Sequence, residues 1–193
     1  MKILLIGIFL ICLNGFTGST FDTITKFLSI NNYKWYHYYS IGGTVAMITL
    51  LIFLLLKGEI KKNILLKKKE YYFLPLLRGL HFLAIGITIF YSLKYIPINI
   101  FTMLLMTTPF FLIIFAKFIL KEKLNFISWI AIVIGFCGVL IVLKPNTANI
   151  NIYLFLILFV AISNALSFTL VSKYSHIAST YGFTFYGYFP MTL

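Results

Sequence analysis

Long apolar runs, about seven of them, follow one another along this chain with only short polar links between them. A helix needs about 20 mostly apolar residues to cross the hydrocarbon core of a bilayer. Lipid offers no partners for backbone N–H and C=O groups, so continuous runs of this length must form helices. The runs lack alternating polarity and are about twice as long as a barrel strand, which excludes a transmembrane β-barrel.

The polar links set the limits of the predicted spans. The first span covers about residues 3–22 or 3–28. The others cover about residues 36–56, 71–93, 98–120, 126–143 and 152–171, and a further span begins near residue 181. Very short links join the third span to the fourth and the fourth to the fifth, so these spans must be antiparallel neighbours. The predicted fold class is an all-α, polytopic transmembrane helix bundle.

The composition excludes a soluble enzyme. The chain is 61% hydrophobic and 10% charged, whereas soluble domains carry about 25% charged residues. The formal net charge of +12 does not indicate nucleic-acid binding, because the basic residues sit in short clusters between the apolar runs. Such clusters are typical of cytoplasmic links, where they face anionic lipid headgroups. The predicted surroundings are the lipid bilayer.

The distribution of Lys and Arg predicts the orientation. With a cytoplasmic N-terminus, 12 of these residues lie at or near cytoplasmic ends and 4 lie outside. The reverse topology inverts this ratio, and positive residues favour the inside. We therefore predict a multi-pass protein of a bacterial inner membrane with its N-terminus in the cytoplasm.

The two ends of the chain resemble each other weakly. Asn14 and Asn164 lie in mid-span, about 150 residues apart, and each of the two spans leads through a Lys-bearing link to an aromatic cluster. Five spans separate the two starts, so a second copy would enter the membrane in the opposite sense. Inverted repeats of this kind characterise secondary transporters, whose substrate site lies where the halves meet.

A combination of motifs between Arg78 and Pro145 carries a family resemblance. The motifs are the YSLKYIP link at 91–97, Pro109 within the next span, LKEKL at 120–124, Trp129, GFCGV at 135–139 and Lys144-Pro145. Together they resemble the EamA domain of the drug/metabolite transporter superfamily. The resemblance implies two five-helix repeats with cytoplasmic termini. Residues 1–145 would form the first repeat and 146–193 the start of a second, so we expect the chain to be part of a longer protein.

The resemblance implies a secondary-active transporter that moves a small organic metabolite by alternating access, without a cofactor. Bacterial members carry metabolites such as S-adenosylmethionine or riboflavin, and the resemblance does not choose among them. Two alternatives stay open, a non-transporting membrane subunit and a membrane-embedded lipid-modifying enzyme. The enzyme would need clustered acid, base or His groups, and the chain shows only isolated ones. A homodimer also stays open.

Polar groups within membrane spans are costly and are therefore candidates for substrate binding. Arg78 lies about two turns into the third span and predicts a contact to an anion or carboxylate. His81 is three residues further on and so shares its helix face. The alternatives are a snorkelling Arg at the inner interface and a His bonded to a neighbouring helix.

Five further residues belong to the predicted site or support it. Asn14 and Asn164 would line the cavity from both repeats, or join helices. Thr107 and Thr108 precede Pro109, and their hydroxyls would satisfy the carbonyl that a proline frees. Pro109 predicts a kink.

Two acidic positions receive structural interpretations. Glu122 would hold the link after the fourth span, between Lys121 and Lys123. Asp22 and Lys26, four residues apart, predict a local ion pair. The chain has no Gly-rich phosphate loop and no evident metal-ligand set, so we predict no metal site and no ATP drive.

Overall fold

A computed structural model of the chain describes residues 2–66, 69–123, 125–143 and 151–192. These residues form helices and turns, without a strand. The helices are α1 (Lys2–Ile30), α2 (Trp35–Leu56), the short α3 (Ile60–Asn63), α4 (Phe73–Tyr95), α5 (Ile98–Leu105), α6 (Thr108–Phe115), α7 (Phe126–Leu143), α8 (Ile152–Lys173) and α9 (Thr180–Tyr188).

Within the described residues, four helical stretches are long and apolar enough to cross a membrane. They are Trp35–Leu56, Phe73–Tyr95, Ile98–Leu120 and Ile152–Lys173. Each agrees within two residues with a span predicted from the apolar runs. The predicted fold class, a helical transmembrane bundle, is confirmed.

Helix α1 runs through a threonine-containing stretch at 17–25 and ends at Ile30, close to the later of the two predicted ends. Threonine hydroxyls in this stretch donate to the carbonyl four residues earlier, from Thr20 to Phe16 at 2.9 Å and from Thr23 to Ser19 at 2.8 Å. Such local bonds satisfy a hydroxyl without a partner outside the helix. Polarity alone therefore does not end α1.

The fourth span is interrupted between α5 and α6. Thr107 is buried, and its hydroxyl donates to the carbonyl of Leu104 at 2.6 Å. Pro109 lies in the first turn of α6, where its missing N–H costs no helical hydrogen bond. The span continues through a wide π turn, Ala116–Leu120, and ends where Lys121 adopts a left-handed φ of 59°.

Helix α4 is the centre of the bundle and packs against α1, α8 and α9. Its glycines allow close approach, because a Cβ at Gly79 would lie 2.8 Å from the carbonyl oxygen of Tyr186 in α9. At its C-terminal end, α4 joins α5 and α8 in a buried apolar cluster. The cluster consists of Leu93, Ile96, Phe101, Leu104 and Ile157.

Three side chains of α1 and α2 donate hydrogen bonds to backbone carbonyls in or just after the C-terminal half of α4. We call this set of bonds the clamp. Lys26, expected to pair with Asp22, donates to Ile96 instead. The bonds run from Lys26 Nζ to Ile96 O at 2.7 Å, from Ser29 Oγ to Phe90 O at 2.5 Å and from Tyr39 Oη to Gly86 O at 3.0 Å.

Candidate functional site

A cavity of about 440 Å³ lies between the N-terminal half of α4, the C-terminal half of α8 and the start of α9. Most of its wall is apolar, and four polar side chains interrupt it. We call it the Arg78 cavity. It is lined by Leu74, Leu77, Arg78, Leu80, His81, Ser163, Leu166, Ser167, Leu170, Val171 and Phe183.

The helical repeat brings the polar groups of this cavity together. Arg78 and His81 are three residues apart on α4, and Ser163 and Ser167 are four apart on α8, so each pair shares one helix face. Because α8 packs against α4, the two polar faces meet.

The guanidinium of Arg78 has buried donors without a partner. Nε and Nη1 are both inaccessible to solvent, and no acceptor among the described residues reaches them. The Arg78 Cζ atom lies 4.6 Å from the centroid of the Phe82 ring, which orients the guanidinium plane but accepts no conventional hydrogen bond. A buried, unpaired charge costs several kcal/mol. The unpaired donors of Arg78 therefore favour an anion as the ligand of this cavity.

His81 supplies a second group with unused bonding capacity. Its Nε2 shares a hydrogen bond with the Oγ of Ser163. Its Nδ1 is buried and has no partner among the described residues. A neutral imidazole that accepts from Ser163 carries its proton on Nδ1 and can donate it to a bound solute.

The structure places the other predicted site residues elsewhere. Asn164 is half-buried on α8 and does not line this cavity. Thr107 and Thr108 lie at the break in the fourth span, away from the cavity lining. The side chain of Asn14 lies outside the described residues. The roles assigned to all these residues, and to Arg78 and His81, remain predictions.

Glu122 and the metal prediction concern other parts of the chain. The Glu122 side chain is exposed, and its backbone N–H donates to Ala116 O at 3.3 Å, which closes the π turn. In the described part of the chain, no three His, Cys, Asp or Glu side chains form a group that could hold a metal ion. The absence of a cofactor stays a prediction.

Of the 11 residues that line the cavity, sequence reasoning predicted Arg78 and His81 and missed nine, among them Ser163, Ser167 and Phe183. The two serines could have been noticed in the sequence, since they are four residues apart within a largely apolar span. Phe183 carries none, because an aromatic residue in an aromatic-rich segment is uninformative until α9 is seen to pack on α4.

Comparison with known proteins identifies the family. Residues 5–144 match the profile of the EamA-like transporter family. The chain belongs to the EamA-like transporter family. The resemblance noted in the sequence is thereby confirmed. Membership of a transporter family, together with the apolar helices, makes this a multi-pass membrane protein and not an enzyme.

Curated relatives carry a more specific name. The S-adenosylmethionine uptake transporter of Rickettsia prowazekii (strain Madrid E) is 31% identical over 167 residues, which are 86% of this chain and 54% of the relative. The protein of the same name from Rickettsia felis is 30% identical over the same length. The chain thus spans about half the length of the curated relatives that it matches. No solved structure matches the chain.

Proposed function

We propose that this chain forms the solute-binding part of a secondary carrier in a bacterial inner membrane, with Arg78 binding the carboxylate of a small organic solute. The observation that carries the proposal is the pair of buried, unpaired donors on Arg78 inside an apolar cavity. A carboxylate accepts two parallel N–H bonds from a guanidinium, and charge-assisted bonds of this kind are the strong ones. A bound carboxylate would pair these donors and so offset the free-energy cost of the buried guanidinium.

S-adenosylmethionine is the solute that we propose. The relatives named for its uptake support this choice. The molecule carries a carboxylate for Arg78, and its adenine ring would pack against the leucines and Phe183 of the wall. The cavity volume of about 440 Å³ falls within the range typical of sites for small organic ligands.

The position of the cavity supports alternating access. Helix α4 belongs to the predicted first repeat, and α8 and α9 belong to the predicted second. A site between repeats changes its exposure when one repeat rocks against the other. The sequence has no phosphate-binding loop, so we propose that a gradient or an exchanged solute drives the cycle. The N-terminus would face the cytoplasm.

Uptake of radiolabelled S-adenosylmethionine into cells that express the gene tests the proposal. We expect Arg78→Ala to abolish saturable uptake and Arg78→Lys to retain part of it, since Lys keeps the charge but not the two-pronged geometry. Lys61→Ala is the matched control, because Lys61 is an exposed basic residue on α3. Wild-type uptake in Arg78→Ala would overturn the assignment.

A second arm tests the carboxylate contact directly. The methyl ester of S-adenosylmethionine lacks the negative charge and should compete poorly for the wild-type protein. In Arg78→Lys, which is expected to keep part of the uptake, the preference for the acid over the ester should become smaller, because the ammonium lacks the two-pronged contact to the carboxylate. An unchanged preference for the acid in this variant would show that another residue reads the carboxylate.

A further inference from the structure

A second cavity, of about 620 Å³, lies between α1, α5 and α7. It shares no lining residue with the Arg78 cavity. Asp22, the single aspartate of the chain, lies in its wall. We call it the Asp22 cavity. Charged groups inside membrane bundles mark solute or ion sites more often than they serve packing.

Three helices each turn one face toward the Asp22 cavity. Asp22 and Thr23 come from α1, and Asn99 and Thr102, three residues apart, come from α5. The described residues that α7 contributes to the wall are two glycines, Gly135 and Gly138. A Cβ at Gly138 would meet nothing within 4 Å, so the missing side chain leaves open space beside the oxygens.

The wall of this cavity offers several oxygen acceptors, and Ser19 adds a further hydroxyl. The Thr23 hydroxyl donates its proton to the carbonyl of Ser19 at 2.8 Å, and the Thr102 hydroxyl donates to that of Ile98 at 2.9 Å. Both oxygens keep only lone pairs for the cavity. An ionised carboxylate is likewise acceptor-only, and Asn99 adds an amide oxygen. The Asn99 amide group also carries two donors, so its oxygen must be the atom that faces a cation. In that orientation the carboxylate, hydroxyl and amide oxygens of the wall suit a cation.

The basic group nearest in sequence to Asp22 is already engaged. Lys26 lies one turn further along α1, and its ammonium donates to Ile96 O at 2.7 Å. From α2, Tyr38 and Tyr39 are the titratable groups that interact electrostatically with Asp22. None of the described residues that α5 and α7 contribute to the cavity wall is titratable or charged. Among the described residues, no ammonium or guanidinium thus pairs with the carboxylate.

We propose that the Asp22 cavity binds an alkali cation, for which Na⁺ is the probe. The Asp22 carboxylate would be the charged ligand, with oxygens of Thr23, Asn99 and Thr102 completing the shell. Hard cations take oxygen ligands of these types. A single carboxylate balances a single positive charge. The proposal does not depend on the identity of the carried solute, because cation binding alone tests it.

Thermal unfolding of the purified chain in detergent is the test. A ligand that binds only the folded state raises the unfolding midpoint in a saturable way. At alkaline pH, we expect NaCl to raise the midpoint relative to N-methylglucamine chloride at equal ionic strength. Asp22→Asn should lose this response. Glu122→Gln should keep it, because that exposed carboxylate lies outside the cavity.

Thr102→Val is a second test, which remains informative if Asp22→Asn does not fold. It keeps the Asp22 carboxylate and removes one hydroxyl oxygen from the proposed shell. Removing one oxygen ligand should weaken the apparent Na⁺ affinity roughly tenfold. Lowering the pH should weaken Na⁺ binding to the wild type as protons compete for Asp22. No sodium-specific stabilisation of the wild type, or an equal response in Thr102→Val, would overturn the proposal.

Discussion

The two halves of α4 differ in how their polar groups are hydrogen-bonded. In the C-terminal half, the carbonyls of Gly86 and Phe90 accept bonds from side chains of α2 and α1. In the N-terminal half, Arg78 and His81 keep buried nitrogens that no described residue pairs. The C-terminal half also has one unpaired buried atom, the Oγ of Ser92, but this is a neutral hydroxyl, whereas the N-terminal half leaves nitrogens of a guanidinium and an imidazole unpaired.

This difference separates a structural role from a binding role. Hydrogen bonds between membrane helices average about 0.6 kcal/mol each, so the clamp stabilises the bundle modestly. Unpaired buried charge destabilises a folded protein and persists where function needs it. Changes in the clamp should therefore alter stability without altering binding. Changes at Arg78 should do the reverse.

The largest effect should come from Arg78→Met. Loss of charge-assisted bonds to a carboxylate costs about 1.5–3 kcal/mol, so S-adenosylmethionine should bind roughly tenfold to a hundredfold more weakly. The unfolding midpoint of the empty protein should not fall, because Met fills similar space without a buried charge. Binding and thermal unfolding of the same detergent sample check both results. A large drop in the unfolding midpoint would mean that Arg78 stabilises the fold, as the clamp residues do.

The next largest effect should come from Gly79→Ala, which tests the packing of the binding half. The added Cβ would lie 2.8 Å from Tyr186 O and 2.7 Å from the Cδ of Pro190. Overpacking of this kind costs about 1–3 kcal/mol. Since α9 contributes to the cavity wall, we expect both stability and solute binding to decrease.

Gly42→Ala is the matched control for Gly79→Ala. A Cβ at Gly42 in α2 meets nothing within 4 Å. Ala is the better helix former by about 1 kcal/mol, so this variant should be as stable as the wild type or more so. Equal effects of the two changes would contradict close packing between α4 and α9.

Ser29→Ala should have a smaller effect, confined to stability. It removes a buried hydroxyl that donates to Phe90 O, at a cost of about 1 kcal/mol. Solute binding should stay at the wild-type level. Thr49→Val is the control, since the exposed Thr49 hydroxyl bonds only within its own helix. A loss of binding in Ser29→Ala would mean that the clamp takes part in the solute site.

Lys94→Met should have the smallest effect. The Lys94 ammonium donates to Asn32 Oδ1 at 2.7 Å in an exposed position beside the clamp. Exposed polar contacts of a single Lys contribute about 0–1 kcal/mol. We expect a midpoint shift within experimental error and unchanged binding. A loss of stability as large as that in Ser29→Ala would mean that the bond between Lys94 and Asn32 belongs to the clamp.

The membrane spans could be predicted from the sequence because a helix that crosses the bilayer needs one property above all, a continuous apolar run of sufficient length. That rule predicted α2, α4, the α5–α6 span and α8 within two residues of their ends. It left two ends open for α1, and the helix continues to the later one because threonine hydroxyls bond locally and let a polar stretch stay helical. Local bonding of this kind cannot be read from hydropathy.

The site was only partly readable. Spacing on one helix predicts that Arg78 and His81 share a face, and the structure places both in one cavity. The residues opposite them depend on how α8 and α9 pack against α4, which no local pattern encodes. For Asp22, the sequence predicted a contact that the structure does not show. Its spacing to Lys26 predicts an ion pair, but Lys26 lies within reach of the end of α4 and donates there.

Cysteine protection tests the central claim most directly. In a variant without Cys12 and Cys137, which are exposed, a thiol at Ser167→Cys would report on the Arg78 cavity and one at Thr102→Cys on the Asp22 cavity. Saturating S-adenosylmethionine should slow alkylation at 167 and not at 102, and adding Arg78→Met should remove the protection. Unslowed alkylation at 167, or equal protection at both positions, would contradict the account.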